Sequence, residues 1–223
     1  MAKAVAEFAP SVSPHSMSLD TFTAALLFSL VMGFTPGPNN VMLASSGANY
    51  GVSRTWPHLW GVTLGFPVML LLIGLGLATV LLASSGLQLG MKIVSCLYLL
   101  WLALQIAKSA PVKTGKGDGK PLNFLQAAAF QWVNPKAWLI AVGAISAYTA
   151  GTGSHLYTQV AIIAVMSVAV TFLSTLTWTV FGAAIGRFLR APIALTLFNL
   201  AMAALLLGSI VPILNEIWEQ VRA

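Results

Sequence analysis

Charge is scarce in this chain. Asp, Glu, Lys and Arg make up only 7% of its 223 residues, against roughly 25% in an ordinary soluble domain. The five carboxylates, Glu7, Asp20, Asp118, Glu216 and Glu219, lie in polar connections or at the ends of apolar runs. A single cysteine, Cys96, excludes an intramolecular disulfide, and it sits where a packing role suits it better than reactivity. His15, His58 and His155 are too scattered to read as metal-ligand spacing. An intramembrane enzyme needs a nucleophile with a base, or a metal cluster, inside its apolar runs, and no histidine or carboxylate lies deep enough to serve. The net charge of +6 does not indicate a nucleic-acid partner. Such proteins gather their cations on a soluble face, and no soluble domain remains once the apolar runs are set aside.

What the chain has is apolar length. Hydrophobic residues make up 58% of it, and at about twenty residues per crossing the uncharged stretches sort into six spans. These run over 19–48, 59–83, 87–107, 122–149, 157–186 and 192–214. The expected class is an all-α integral membrane protein. Residues 1–18 read as a flexible N-terminal tail, with Met17 as an alternative start and no small-residue cleavage site after the first apolar run. Residues 19–108 form a first group of three spans, 109–121 a basic linker rich in glycine and lysine, and 122–223 a second group of three.

The loops between spans one and two, three and four, and five and six hold Arg54, Lys108, Lys113, Lys116, Lys120, Arg187 and Arg190. Lys3, Lys92 and Arg222 fall on the other side. That imbalance places the basic loops in the cytoplasm and both termini outside it. An odd number of spans in each half makes the second half enter the membrane from the opposite side, so the expected architecture is an inverted 3+3 repeat. Laying Pro38 on Pro135 puts Asn39 on Lys136 and brings Ala48-Asn-Tyr-Gly51 close to Ala147-Tyr-Thr-Ala-Gly151.

Two polar interruptions give the chain its chemistry. In span one, Thr35-Pro36-Gly37-Pro38-Asn39-Asn40 breaks the helix; in span four, Asn134-Pro135-Lys136 does the same. Proline removes a backbone donor and clashes with the preceding turn, and unpaired backbone groups at membrane depth need protein or a water-filled cavity around them. Matched breaks in two halves of a chain point to a transporter's substrate site. Thr35 and Asn134, each followed by proline, read as caps of fresh half-helices whose first N–H groups can receive a carboxylate. Lys136 adds a full positive charge, and Asn39 and Asn40 can both donate and accept, as the two ends of a zwitterion require. The expected substrate-binding set is therefore Thr35, Pro36, Gly37, Pro38, Asn39, Asn40, Asn134, Pro135 and Lys136.

Proton coupling needs a titratable group in the pathway. The candidates are Asp20 at the outer end of span one, His58 at the inner end of span two, and Lys136. Lys92 is close enough to the outer surface to extend its ammonium there, and Tyr98 reads as a packing residue. Gly61-x-x-x-Gly65 permits close helix approach, within the chain or between copies of it in a homo-oligomer. No cofactor is expected. An exporter of metal or other ions on the same architecture is the alternative function.

These residues resemble the LysE/RhtB amino-acid exporters. The likeness rests on Thr35-Pro-Gly-Pro-Asn39, on Gly61 and Gly65, on Leu97-Tyr-Leu-Leu-Trp-Leu102 and on Phe130-Gln-Trp-Val-Asn-Pro-Lys136, and extends from Met17 over nearly the whole chain. The resemblance implies a six-span bacterial inner-membrane exporter that expels amino acids or close derivatives in exchange for protons. It also implies that the two proline motifs face each other across the path. Cys96 departs from it, standing where relatives often have glycine, which bears on helix packing. The Asn39-Asn40 pair is similar to the branch that exports neutral or sulfur-containing amino acids.

Overall fold

The computed structural model describes residues 17–77, 79, 83–109, 120–150, 152–189 and 192–222. Most of the expected tail and of the expected basic linker, with Lys113, Lys116 and Arg190, lies outside the described residues.

All described elements are helical. Ser18 starts α1 (Leu19–Phe34) by accepting from the Thr21 N–H. The helix stops at Phe34 because Thr35 precedes proline and is forced into extended backbone, with φ −59° and ψ 132°. Helix α2 (Pro38–Leu72) starts with proline in its first turn and runs on into a π-helical segment, Ile73–Leu77. It bends at Gly51, whose φ of 75° and ψ of 170° lie in a region open to glycine at little steric cost. Ser84 caps α3 (Ser85–Ala107), and Asn123 with Gln126 forms a reciprocal capping box on α4 (Phe124–Phe130). A single 3-10 turn, Gln131–Val133, separates α4 from α5 (Pro135–Tyr148). Two long helices follow, α6 (Gly153–Phe188) and α7 (Pro192–Gly208), and then the short α8 (Val211–Arg222).

By length and composition, four stretches among the described residues can cross a membrane: Pro38–Leu77, Ser85–Ala107, Gly153–Phe188 and Ile193–Gln220. The count differs from the six expected runs for a local reason. The proline motifs cut 19–48 and 122–149 into shorter helices, and α2 carries straight through the Gly51 bend that separates the first expected run from the second. The outer surface suits lipid. Val165 is 72% exposed and Phe188 85%, alongside exposed Leu19, Val31, Leu97, Leu125 and Leu139. An apolar surface of that extent would be an aggregation hazard in water and is the ordinary face of a helix in a bilayer.

Helices α2 and α6 form the spine. At Gly47 an added Cβ would meet Thr179 and Ala183 backbone atoms, and at Gly182 and Gly186 it would meet the backbone of Ala44 and Ala48. Farther along, the Thr63 and Thr175 hydroxyls share a hydrogen bond of 3.1 Å. The Gly61/Gly65 pair seats α4: Cβ atoms there would come within 2.7 Å of the Ala127 Cβ and the Ala128 Cα respectively. The motif is thus engaged inside the chain.

On the other flank a buried amide pair ties α2 to α7. Asn49 donates to the Asn199 carboxamide oxygen at 2.7 Å, Asn199 donates back at 3.0 Å, and Asn199 also donates to the Ser109 carbonyl at 2.9 Å. Replacing Asn199 with alanine leaves two acceptors without this donor, and thermal melting in detergent is expected to register a loss of about 1–2 kcal/mol. The double replacement with Asn49→Ala is expected to cost less than the sum of the two single ones.

Lys92 does not end alone in solvent. Its ammonium sits 3.1 Å from Glu216 and donates to Gln220 at 3.2 Å, fastening α8 across the end of α3. An exposed pair of this kind stabilises by about 0–1 kcal/mol, so it orients α8 more than it holds the fold.

Candidate functional site

The prolines of the first break deprive α1 of donors. The helix ends at Phe34, so the Gly33 carbonyl in its last turn and the Thr35 and Pro36 carbonyls beyond it must find partners elsewhere. Side chains from three helices supply them. Asn40, on α2, turns back and donates to the carbonyls of Gly33 and Thr35, each at 2.9 Å. Ser174, on α6, donates to the Gly33 carbonyl at 2.7 Å. Lys136, on α5, lays its ammonium on the Thr35 carbonyl and also reaches the Pro36 carbonyl at 3.5 Å. A cation at the C-terminal end of a helix meets the negative end of its dipole, an interaction of about 0.3–1 kcal/mol on a surface and up to about 2 where partly buried.

The stem of that lysine passes over Gly37. A Cβ there would lie 2.5 Å from the Lys136 Cδ and 3.1 Å from its Nζ. Gly37 has φ −165° and ψ 180°, extended backbone that any residue adopts, so space and not conformation requires glycine.

The two half-helix starts differ. Asn134 caps α5 as expected, its side chain accepting from the Lys136 N–H at 3.2 Å while its carbonyl accepts from Ala137 at 3.0 Å. Thr35, expected to cap a new helix, instead closes the old one: its hydroxyl donates back to the Val31 carbonyl at 2.6 Å. The new helix begins at Pro38, two residues later than a cap at Thr35 followed by Pro36 would start it, and no side chain caps it. The first turn of α2, unlike that of α5, therefore retains its capacity to receive an anion.

Asn39 couples the two breaks. It donates to the Gln131 carboxamide at 2.8 Å and accepts from it at 3.2 Å, and Gln131, fully buried, also donates to the Ala127 carbonyl at 2.9 Å. Gln131 stands in the motif that carries the family resemblance but has no expected role; its placement inside a broken span was the available signal.

A cavity of about 60 Å³ opens where these elements meet. Gly37, Asn39, Asn40, Asn134 and Lys136 all line it, and Lys136 carries the one formal charge among its described lining residues. Thr35 and Pro36 do not line it and connect to it through Lys136, whose ammonium their carbonyls accept, whereas Pro38 and Pro135 start the helices behind it. The wall also takes Ser167, Thr171, Ser174 and Thr175 from α6. Their spacing of three and four residues puts a hydroxyl stripe on one helix face, a pattern the sequence displays and the list of expected residues omits.

The other two candidates for proton coupling lie apart. Asp20 is exposed in the first turn of α1. His58 is buried against Ser46, with Nδ1 3.2 Å from its hydroxyl, and lines a separate cavity with Tyr50, Gln105 and Lys120. Among the described residues no three His, Cys, Asp or Glu side chains gather in a way that could hold a metal ion.

Comparison with known proteins follows the same lines. A family description, LysE type translocator, matches residues 30–211. A cysteine/O-acetylserine efflux protein of Klebsiella pneumoniae is 33% identical over 132 residues, 59% of this chain and 67% of that protein. The protein of the same name from Escherichia coli K12 is 33% identical over 133 residues, covering 59% and 67%. That of Shigella flexneri is 34% identical over 122 residues, covering 54% and 62%. No solved structure matches the chain.

Proposed function

The chain belongs to the LysE-type translocator family, and from the efflux proteins that it resembles we propose that it exports cysteine, O-acetylserine or a closely similar amino acid from the bacterial cytoplasm. It is a multi-pass membrane transporter and not an enzyme. The observation that carries the substrate class is the pairing, beside one cavity, of groups for each end of a zwitterion. The uncapped start of α2 and the Lys136 ammonium suit a carboxylate, and the Thr35 and Pro36 carbonyls, on which that ammonium rests, suit an amino group. A zwitterion can use both, whereas a bare metal ion would meet the lysine as a like charge.

The transporter is read as six spans in an inverted 3+3 repeat, residues 19–108 and 122–223, joined by the basic linker at 109–121. Three features support this. Each half opens with a short helix that ends at a proline break, continues with a helix that starts at proline, and holds one of the two longest helices followed by a further helix. The corresponding long helices, α2 and α6, pack on each other, as do α3 and α7. The breaks at Gly37-Pro38 and Asn134-Pro135 meet at one cavity. Rocking of one half against the other would open that cavity to each side in turn. The basic loops assign the inner face and leave both termini outside. Protons are the proposed counter-ion, and Lys136 is assigned their exchange because, of the three candidates, it alone lines the cavity.

The test is efflux of radiolabelled cysteine and O-acetylserine from loaded proteoliposomes carrying an imposed proton gradient. Wild type is expected to empty them faster than protein-free vesicles, and Asn39→Ala, which breaks the amide bridge to Gln131, to slow the rate at least about tenfold. Wild-type rates equal to protein-free leakage would refute the export reading. Unchanged rates in Asn39→Ala would move the site elsewhere.

A further inference from the structure

The carbonyls suited to a substrate's ammonium already hold one, that of Lys136. Its Nζ rests on the Thr35 and Pro36 carbonyls at the end of α1, and its stem crosses Gly37 along the wall of the cavity. The Thr35 carbonyl also accepts from Asn40, so it is a fully engaged acceptor and not a stray one. No described carboxylate pairs with Lys136, since the ion pair among the described residues joins Lys92 to Glu216. Among the described residues the lysine is therefore anchored by backbone carbonyls, an arrangement that a nearby carboxylate outbids as a partner for the same ammonium.

We propose that Lys136 is a tethered stand-in for the substrate's own amino group: it fills the carbonyl-lined subsite between transport cycles and yields it only to a ligand whose carboxylate draws it away. The residue thereby sets specificity, because entry of the amino group depends on a second group that simple amines lack. An amine alone must compete with a covalently attached ammonium whose effective concentration is high. An amino acid moves that ammonium onto its own carboxylate, beside the uncapped start of α2, and then occupies the vacated carbonyls. Gly37 is part of the device, since its missing side chain leaves the lysine its track. This inference rests on the amino-acid reading for its substrate but not for the competition at the carbonyls.

The experiment compares cysteine with cysteamine, which is cysteine without its carboxylate, as ligands of the detergent-solubilised full-length protein, by thermal shift and calorimetry. Wild type is expected to bind cysteine and to bind cysteamine at least about tenfold more weakly. Lys136→Met is expected to reverse the order, gaining about tenfold for cysteamine over wild type and losing affinity for cysteine. Lys136→Gln, which keeps a donor for the Thr35 carbonyl without the charge, and Gly37→Ala, which pushes the lysine aside without removing it, guard against a single misfolded variant; both are expected to gain for cysteamine. Cysteamine affinity no higher in the folded variants than in wild type would overturn the proposal. If wild type binds no amino acid yet the variants take up cysteamine, the export reading fails and the stand-in survives; cysteine binding with no gain for cysteamine gives the converse.

Discussion

Gly182→Ala is expected to destabilise the protein although helix propensity favours alanine. Removing a glycine from a helix interior ordinarily stabilises by about 0.5–1 kcal/mol. Here the new Cβ would fall inside the contact radii of the Ala44 carbonyl oxygen, carbonyl carbon and Cα. These are backbone atoms of the facing helix, and they cannot swing aside as a side-chain tip can. Overpacking typically costs about 1–3 kcal/mol, and with backbone as the obstacle the upper end applies. The net expectation is a loss of about 2 kcal/mol or more in detergent melting, with reduced yield of monodisperse protein. Gly90→Ala is the control, because nothing lies within 4 Å of a Cβ there. It is expected to gain where Gly182→Ala loses. Equal behaviour of the two would mean that α2 and α6 are not in backbone contact.

Gly37→Ala is expected to do the reverse: keep the fold and lose the transport. The atoms that its Cβ would meet are Cδ, Cε and Nζ of Lys136, the far end of a flexible side chain. They can move at little cost, so stability is expected to stay within about 1 kcal/mol of wild type, including the poorer capping by alanine. What moves is the ammonium, which leaves the Thr35 and Pro36 carbonyls. Efflux of cysteine from proteoliposomes is expected to fall at least about tenfold, equivalent to about 1.4 kcal/mol. A variant that melts like wild type and transports like wild type would show that the seat of Lys136 is irrelevant to export.

The contrast between these two glycines was not legible in the sequence, where both are single letters in apolar surroundings. Periodicity and composition reveal which stretches are helical and apolar, because those properties are local. Proline reveals where a helix must end, again locally: the stop at Phe34 and the start at Pro135 with Asn134 as cap follow from neighbouring residues. The choice of Thr35 as a cap failed because two prolines, at 36 and 38, each offer a legal helix start, and which one is used depends on donors from α2, α5 and α6. Gln131 and the hydroxyl stripe of α6 escaped for the same reason. Their importance lies in what they face, and partners 92 and 141 residues away in sequence leave no trace in local pattern. The chemistry of His58 suggests a path residue, and its position in a second cavity against Ser46 separates it from the site that Lys136 lines.

The close seating of α2 on α6 also limits how the molecule can move. Neighbouring helices separated by bulky side chains can glide, since rotamers change as one ridge passes the next. Where Gly47, Gly182 and Gly186 bring main chain against main chain, there is no such lubricating layer, and a slip of one turn would drive a methyl or larger group into a carbonyl. A rocking of one half against the other would therefore turn about this seam and not slide along it.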